Sequence, residues 1–280
     1  MACWAMAYKD ILVYADATKG AEAALAAAIT LATAHAAHVT ALHVTPPPFA
    51  SAELGPGAMT EMIRWQQERE RDAVRVAETA VIAARQRTEA PVEWRLASGD
   101  VVPTLASHAC YADLVIVARG GADDDPMTAG HLAGTVVMSA GRPVLVVPNA
   151  SVSEAIGERV LVAWNGSREA SRAIHDALPI LERAKSVTVL EVSRAADASS
   201  RVAGADIARH LARHGVAVSA ETAIAGATAA GGVIRRRIAD IGADLVIAGA
   251  YGHTRLREFV FGGVTRELLT AAGVPVLVSH

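Results

Sequence analysis

The chain repeats itself, and this limits its folding more than any other feature. Val160-Leu-Val-Ala-Trp-Asn165-Gly-Ser167 follows the pattern of Ile11-Leu-Val-Tyr-Ala-Asp16-Ala-Thr18 after 149 positions. Ala243-Asp-Leu-Val-Ile247 repeats Ala112-Asp-Leu-Val-Ile116 after 131, and Gly273-Val-Pro-Val-Leu-Val278 repeats Gly141-Arg-Pro-Val-Leu-Val146 after 132. Colinear matches at unequal spacing describe a duplicated unit whose loops differ in length. The expected halves are 1–150 and 157–280, joined by a linker over about 148–158. At 280 residues, two units of this size are an ordinary division.

Within each half, short apolar runs alternate with helical stretches. Asp10-Ile-Leu-Val-Tyr-Ala-Asp16, His38-Val-Thr-Ala-Leu-His-Val44, Val92-Glu-Trp-Arg-Leu-Ala97, Asp113-Leu-Val-Ile-Val117 and Arg142-Pro-Val-Leu-Val-Val147 read as strands. Helices are expected over about 21–35, 60–87 and 103–110, and Asp125-Pro126 reads as another helix start. Asp16 or Thr18 is placed to cap the first helix. This alternation predicts an α/β fold with a five-stranded parallel sheet in each half and helices on both faces. Ligands in such sheets bind beyond the carboxyl ends of the strands, where strand order reverses. The strand ends at Asn165 and Gly249 should meet there. Aromatic residues make up only 4% of a chain that is 52% hydrophobic, so Ala, Val, Leu and Ile must build the core.

One stretch stands out, Gly249-Ala-Tyr-Gly252-His-Thr-Arg-Leu-Arg-Glu-Phe-Val-Phe-Gly262-Gly263-Val264-Thr265. Its glycines fall where a strand ends and where a helix begins. Glycine lets backbone come close to a ligand, and N–H groups at a helix N-terminus favour anions. The first half differs at the matching positions, with Ala118, Gly121 and Gly130-His131, and its loop carries Asp123-Asp124-Asp125. A carboxylate about 6 Å from a phosphate charge repels it by roughly 2–3 kcal/mol at an effective dielectric near 20. The first half is therefore expected not to bind a triphosphate.

With these residues in view, both halves resemble universal stress protein domains, and the chain resembles the tandem type. The resemblance implies Rossmann-like domains of the adenine nucleotide alpha hydrolase-like kind, the first degenerate and the second carrying the ATP-binding type of glycine motif. It implies a stress-response sensor or regulator that binds ATP, or ADP or AMP, with Mg as a companion of the nucleotide. The cofactor-binding residues it implies are Ala163, Trp164, Asn165, Val192, Gly249, Gly252, Gly262, Gly263, Val264 and Thr265. It further implies that the last strands, 144–147 and 276–278, pair the two halves; a homodimer is left open. Two departures affect the site. Gly263 stands where the family has Ser or Thr, and Asn165 stands where it usually has Asp. Trp164 either stacks on a base or fills the pocket.

Other readings stay open beside this one: a nucleotide-independent scaffold or other small-molecule binder, and a slow ATPase or self-phosphorylating protein with Ser167, Thr254 or Thr265 as acceptor. There is no Gly-x4-Gly-Lys-Ser/Thr loop, and no catalytic residue is assigned. A net charge of −3 gives no case for nucleic acid. The absence of an 18-residue apolar run gives none for a membrane span, and a cytoplasmic location is expected. His210 and His214 have a metal-capable spacing but read as a solvated helix face beside Arg209 and Arg213. Cys110 reads as a small core residue, and Arg235-Arg-Arg237 as solvated surface.

Overall fold

The computed structural model describes residues 7–49, 55–120, 131–149, 155–193, 204–225, 229–250 and 263–280. The first half runs β1 (Asp10–Tyr14), α1 (Lys19–His35), β2 (His38–Thr45), α2 (Pro56–Arg85), β3 (Val92–Ser98), α3 (Val101–Ala109), β4 (Leu114–Ala118), α4 (His131–Ser139) and β5 (Val144–Val147). The second runs β6 (Arg159–Trp164), α5 (Arg168–Asp176), α6 (Leu178–Leu181), β7 (Ser186–Ser193), α7 (Ala205–Arg213), β8 (Val218–Ile224), α8 (Ala230–Ile241), β9 (Leu245–Gly249), α9 (Gly263–Ala271) and β10 (Val276–Ser279). Among the described residues the largest departure between the halves is α2, 30 residues long against 9 for its counterpart α7.

All ten strands form one sheet in the order β3-β2-β1-β4-β5-β10-β9-β6-β7-β8. Pairing within each half is parallel, and β5 meets β10 antiparallel with Val144 opposite Val278 and Val146 opposite Val276. Chain order reverses between β1 and β4, and again between β6 and β9. These are the two points where a crevice opens beyond the strand ends.

Alternation of side chains splits the core by sheet face rather than by half. On one face, Leu25, Leu31 and Val81 from the first half join Ile174, Leu181, Val189 and Leu211 from the second. On the other, Leu105 and Val136 join Ile234, Ile238, Leu268 and Leu269. Thus α1, α2, α5, α6 and α7 cover one face, and α3, α4, α8 and α9 the other. Polar contacts also cross between the halves: the Tyr8 hydroxyl donates to Asp176 O at 2.8 Å, and Arg172 donates to Gly141 O at 3.2 Å.

The repeated Ala-Asp pair has a structural task in both halves. Asp113 accepts the backbone N–H groups of Lys9 and Asp10 at 2.7 and 3.1 Å. Asp244 accepts those of Gly157 and Arg159 at 2.7 and 3.0 Å. Each carboxylate fixes where the half's first strand begins against its fourth. Asp244→Ala should lower unfolding free energy by about 1–3 kcal/mol, the cost of orphaning these donors, measured by denaturant titration.

Some sequence expectations need correction. Cys110 is exposed and ends α3 instead of entering the core. Only part of the 235–237 arginine cluster is free surface, because Arg235 pairs with Glu267 at 3.0 Å and Arg237 with Glu221 at 2.5 Å. His210 is only half-exposed on an otherwise solvated face: its ring contacts those of His175 and His214, and its Nε2 is buried without a hydrogen-bond partner among the described residues. No group of three or more His, Cys, Asp or Glu among those residues is arranged to hold a metal. No helix among them is long and apolar enough to cross a membrane.

Candidate functional site

The second-half crevice is bounded by the ends of β6 and β9. Beyond β6 the chain turns into α5, and the turn is built by side chains. Asn165 Oδ1 accepts the N–H of Ser167 at 3.1 Å, and Ser167 Oγ accepts the N–H of Ala170 at 3.1 Å, capping the helix. The first half builds the same turn: Asp16 Oδ1 accepts the N–H of Thr18 at 2.8 Å, and Thr18 Oγ1 caps Ala21 at 3.2 Å. Asn in place of Asp therefore keeps the turn acceptor. It removes a negative charge from the crevice and leaves an amide NH2 as a donor.

Gly249 ends β9 against α5. A methyl group added there would sit 2.3 Å from Ala170 N and 2.7 Å from Glu169 C. The glycine is required by the protein's own helix, whatever a ligand demands. In the first half the accommodation is reversed. The strand position carries Ala118, and the helix position matching Glu169 is Gly20, where an added methyl would lie 3.0 Å from Ala118 Cβ and 2.5 Å from Asn149 Oδ1. Each half thus has a small residue on one side of the same crossing.

The structure separates the expected site residues between the two sheet faces. Ala163 and Val192 pack on the face of α8 and α9. Trp164, next along β6, packs on the opposite face, where an added methyl on Gly204 at the start of α7 would lie 3.8 Å from Trp164 Cδ1. Trp164 is half-buried there and does not share a wall with Ala163 and Val192. Gly263, Val264 and Thr265 form the first turn of α9, with Thr265 buried. An added Cβ at Gly263 meets nothing within 4 Å among the described residues. Gly252, Gly262, Thr254 and the acidic run 123–125 lie outside the described residues.

Sequence reading missed Glu169. It lies in the first turn of α5 and is only 5% exposed. Its Oε1 accepts from Arg168 Nε at 2.5 Å, and this bond first of all holds the carboxyl below its usual range. A carboxylate at a helix N-terminus is favourable, and this one lies beside Gly249. The signal was available: an acidic residue in the first turn after a Ser cap.

A second missed pair closes the first half. His43 Nδ1 donates to Ala15 O at 2.7 Å, and Nε2 lies 3.0 Å from Glu70 Oε1 on α2. This ties the long helix to the strand ends. Between α1 and α2, beside Asp16, Thr18 and Glu22, only about 10 Å³ is left, roughly the room of one water.

Comparison with known proteins agrees with the duplication. The family model described as the Universal stress protein family matches residues 7–148 and, a second time, 157–280. The structure is similar to that of a universal stress protein from Archaeoglobus fulgidus DSM 4304, with TM-score 0.72, 17% identity, and coverage of 96% of this chain and 97% of that one. It is also similar to a putative universal stress protein from Pseudomonas aeruginosa UCBPP-PA14, with TM-score 0.58, 18% identity, and coverage of 98% and 93%. No curated protein sequence matches the chain significantly. At these identities the structural likeness carries the fold, and the twofold family match, spanning nearly the whole chain, carries the classification: the chain belongs to the universal stress protein family.

Proposed function

We propose that the second half, 157–280, binds an adenine nucleotide, ATP foremost with ADP and AMP as alternatives and Mg as a companion ion, and that the chain is a cytoplasmic stress-response regulator. The observation that carries this reading is the first turn of α9: among the described residues nothing lies within 4 Å of a Cβ added at Gly263, and the helix follows the strand that ends the crevice. Helix N–H groups there suit phosphate oxygens. Ala163 and Val192 supply an apolar wall on the same sheet face as α9, suited to a base, and Asn165 supplies an uncharged donor. Trp164 buttresses α7 and takes no part in stacking. In the first half, 1–150, His43 and Glu70 tie α2 to the strand end beside Asp16. Paired through β5 and β10, the halves act as one unit.

Nucleotide extracted from the purified protein and identified by chromatography tests this reading. No nucleotide, together with no binding at millimolar ATP, would refute it. Gly263→Ser restores the hydroxyl usual in the family at a position where no described residue crowds an added Cβ. It should tighten ATP binding about tenfold or more, the worth of a hydrogen bond to a charged group, as measured by isothermal titration. A second reading, a scaffold independent of nucleotide, is favoured by Gly249, whose glycine is already explained by α5. Ser167, one of the conceivable phosphate acceptors, uses its hydroxyl oxygen to cap α5.

A further inference from the structure

At the opposite end of the first half's strands lies a groove of about 160 Å³ lined by Asp10, His38, Thr40, Glu93, Arg95, His108 and Tyr111, among others. We propose that it binds a small oxyanion, a carboxylate or phosphate group held by Arg95 with His38 and His108. This does not depend on the nucleotide reading of the second half.

The internal duplicate supplies the argument. Tyr14 pairs with Leu42 on β2, and its equivalent Ala163 pairs with Leu190 on β7. Leu42 in turn pairs with Arg95, and Leu190 with Glu221. Arg95 and Glu221 are therefore equivalent positions of opposite charge. In the second half, α8 reaches down with Arg237, whose Nε and Nη2 donate to the two Glu221 oxygens at 2.8 and 2.5 Å. The 131-residue offset places Ala106 of α3 where α8 has Arg237. No side chain of opposite charge comes from α3 at that position to meet Arg95, and a groove remains.

Among the described residues Arg95 is met only from its own strand: its Nε and Nη2 donate to a single oxygen of Glu93 at 3.2 and 2.8 Å. Two of five guanidinium donors are thus used. Glu93 is shared further, with its Oε2 3.9 Å from His38 Nε2. His108, across the groove on α3, is pushed below its usual range by burial and then by Arg95. The Thr40 and Tyr111 hydroxyls add donors. Asp10 and Glu93 are the opposing charges, and an oxyanion binds against them.

The test uses the full chain without added nucleotide, since a triphosphate would itself compete for the groove. Inorganic phosphate and succinate are titrated separately while the imidazole resonances of His38 and His108 are followed by NMR, which tells the two headgroups apart. Both resonances should shift saturably with at least one probe. Arg95→Gln should weaken that binding about tenfold or more. Arg95→Lys, which keeps the charge but loses the fork, should weaken it less, and Asp10→Asn should tighten it. Arg237→Gln, in the second half, should change nothing. Unsaturable shifts with both probes, unchanged affinity in Arg95→Gln, or weaker binding in Asp10→Asn would each overturn the assignment.

Discussion

Gly249→Ala should destabilise the whole protein before it affects any ligand. The added methyl meets backbone atoms of α5, Ala170 N at 2.3 Å and Glu169 C at 2.7 Å, and backbone cannot rotate out of the way. Either β9 or α5 must shift. Both belong to packed layers, where overpacking costs about 1–3 kcal/mol and occasionally more. The unfolding midpoint should fall by that measure with no nucleotide present. Gly263→Ala is the matched control, because no described residue lies within 4 Å of its new Cβ, and it should stay within about 0.5 kcal/mol of the parent. A normal midpoint in Gly249→Ala with lost ATP affinity would reverse this account and return the glycine to the ligand.

Acidification should loosen the contact between the halves through His35. The residue ends α1, is only 5% exposed, and packs its ring 5.1 Å from that of Tyr8. Its Nδ1 is buried without a partner among the described residues. Burial first, then the nearby charges of Arg183 and Lys9, lower its pKa from 6.5 to about 4. The folded state thus holds the ring neutral where the unfolded chain has begun to protonate. Stability is complete above pH 6.5, falls as pH drops toward 4, and the loss is then complete. A shift of this size corresponds to at most about 3 kcal/mol. His35→Gln cannot take up this proton. The difference in unfolding free energy between wild type and variant should therefore change between pH 7 and pH 4 in the variant's favour. Parallel pH profiles for the two proteins would show that His35 carries no such linkage.

The sequence made the frame legible because its signals are local and doubled. The strand runs, the Thr18 and Ser167 caps and the repeated Asp113 and Asp244 each occur in both halves, so each reading could be checked against its copy. The reversal point followed from the alternation of strands and helices. The ownership of the site was less legible. Gly249 announced a close approach, but a missing side chain does not name what approaches, and the approaching group was α5. Trp164 lay one residue from Asn165 in sequence yet on the opposite sheet face from Ala163, since adjacent strand residues point apart.

The sequence by itself determined the duplication, the parallel α/β layers and the pair of strand ends where a crevice must open. These rest on hydrophobic period and turn chemistry, which a few neighbouring residues encode. Only the tertiary structure decided the rest: which of Gly20 and Gly249 yields space at each crossing, that His43 and Glu70 draw a 30-residue helix over the first half, that His35 is buried beside Tyr8, and that Arg95 lacks the partner Arg237 gives Glu221. Each of these depends on groups far apart in the chain, brought together by strand register and helix packing.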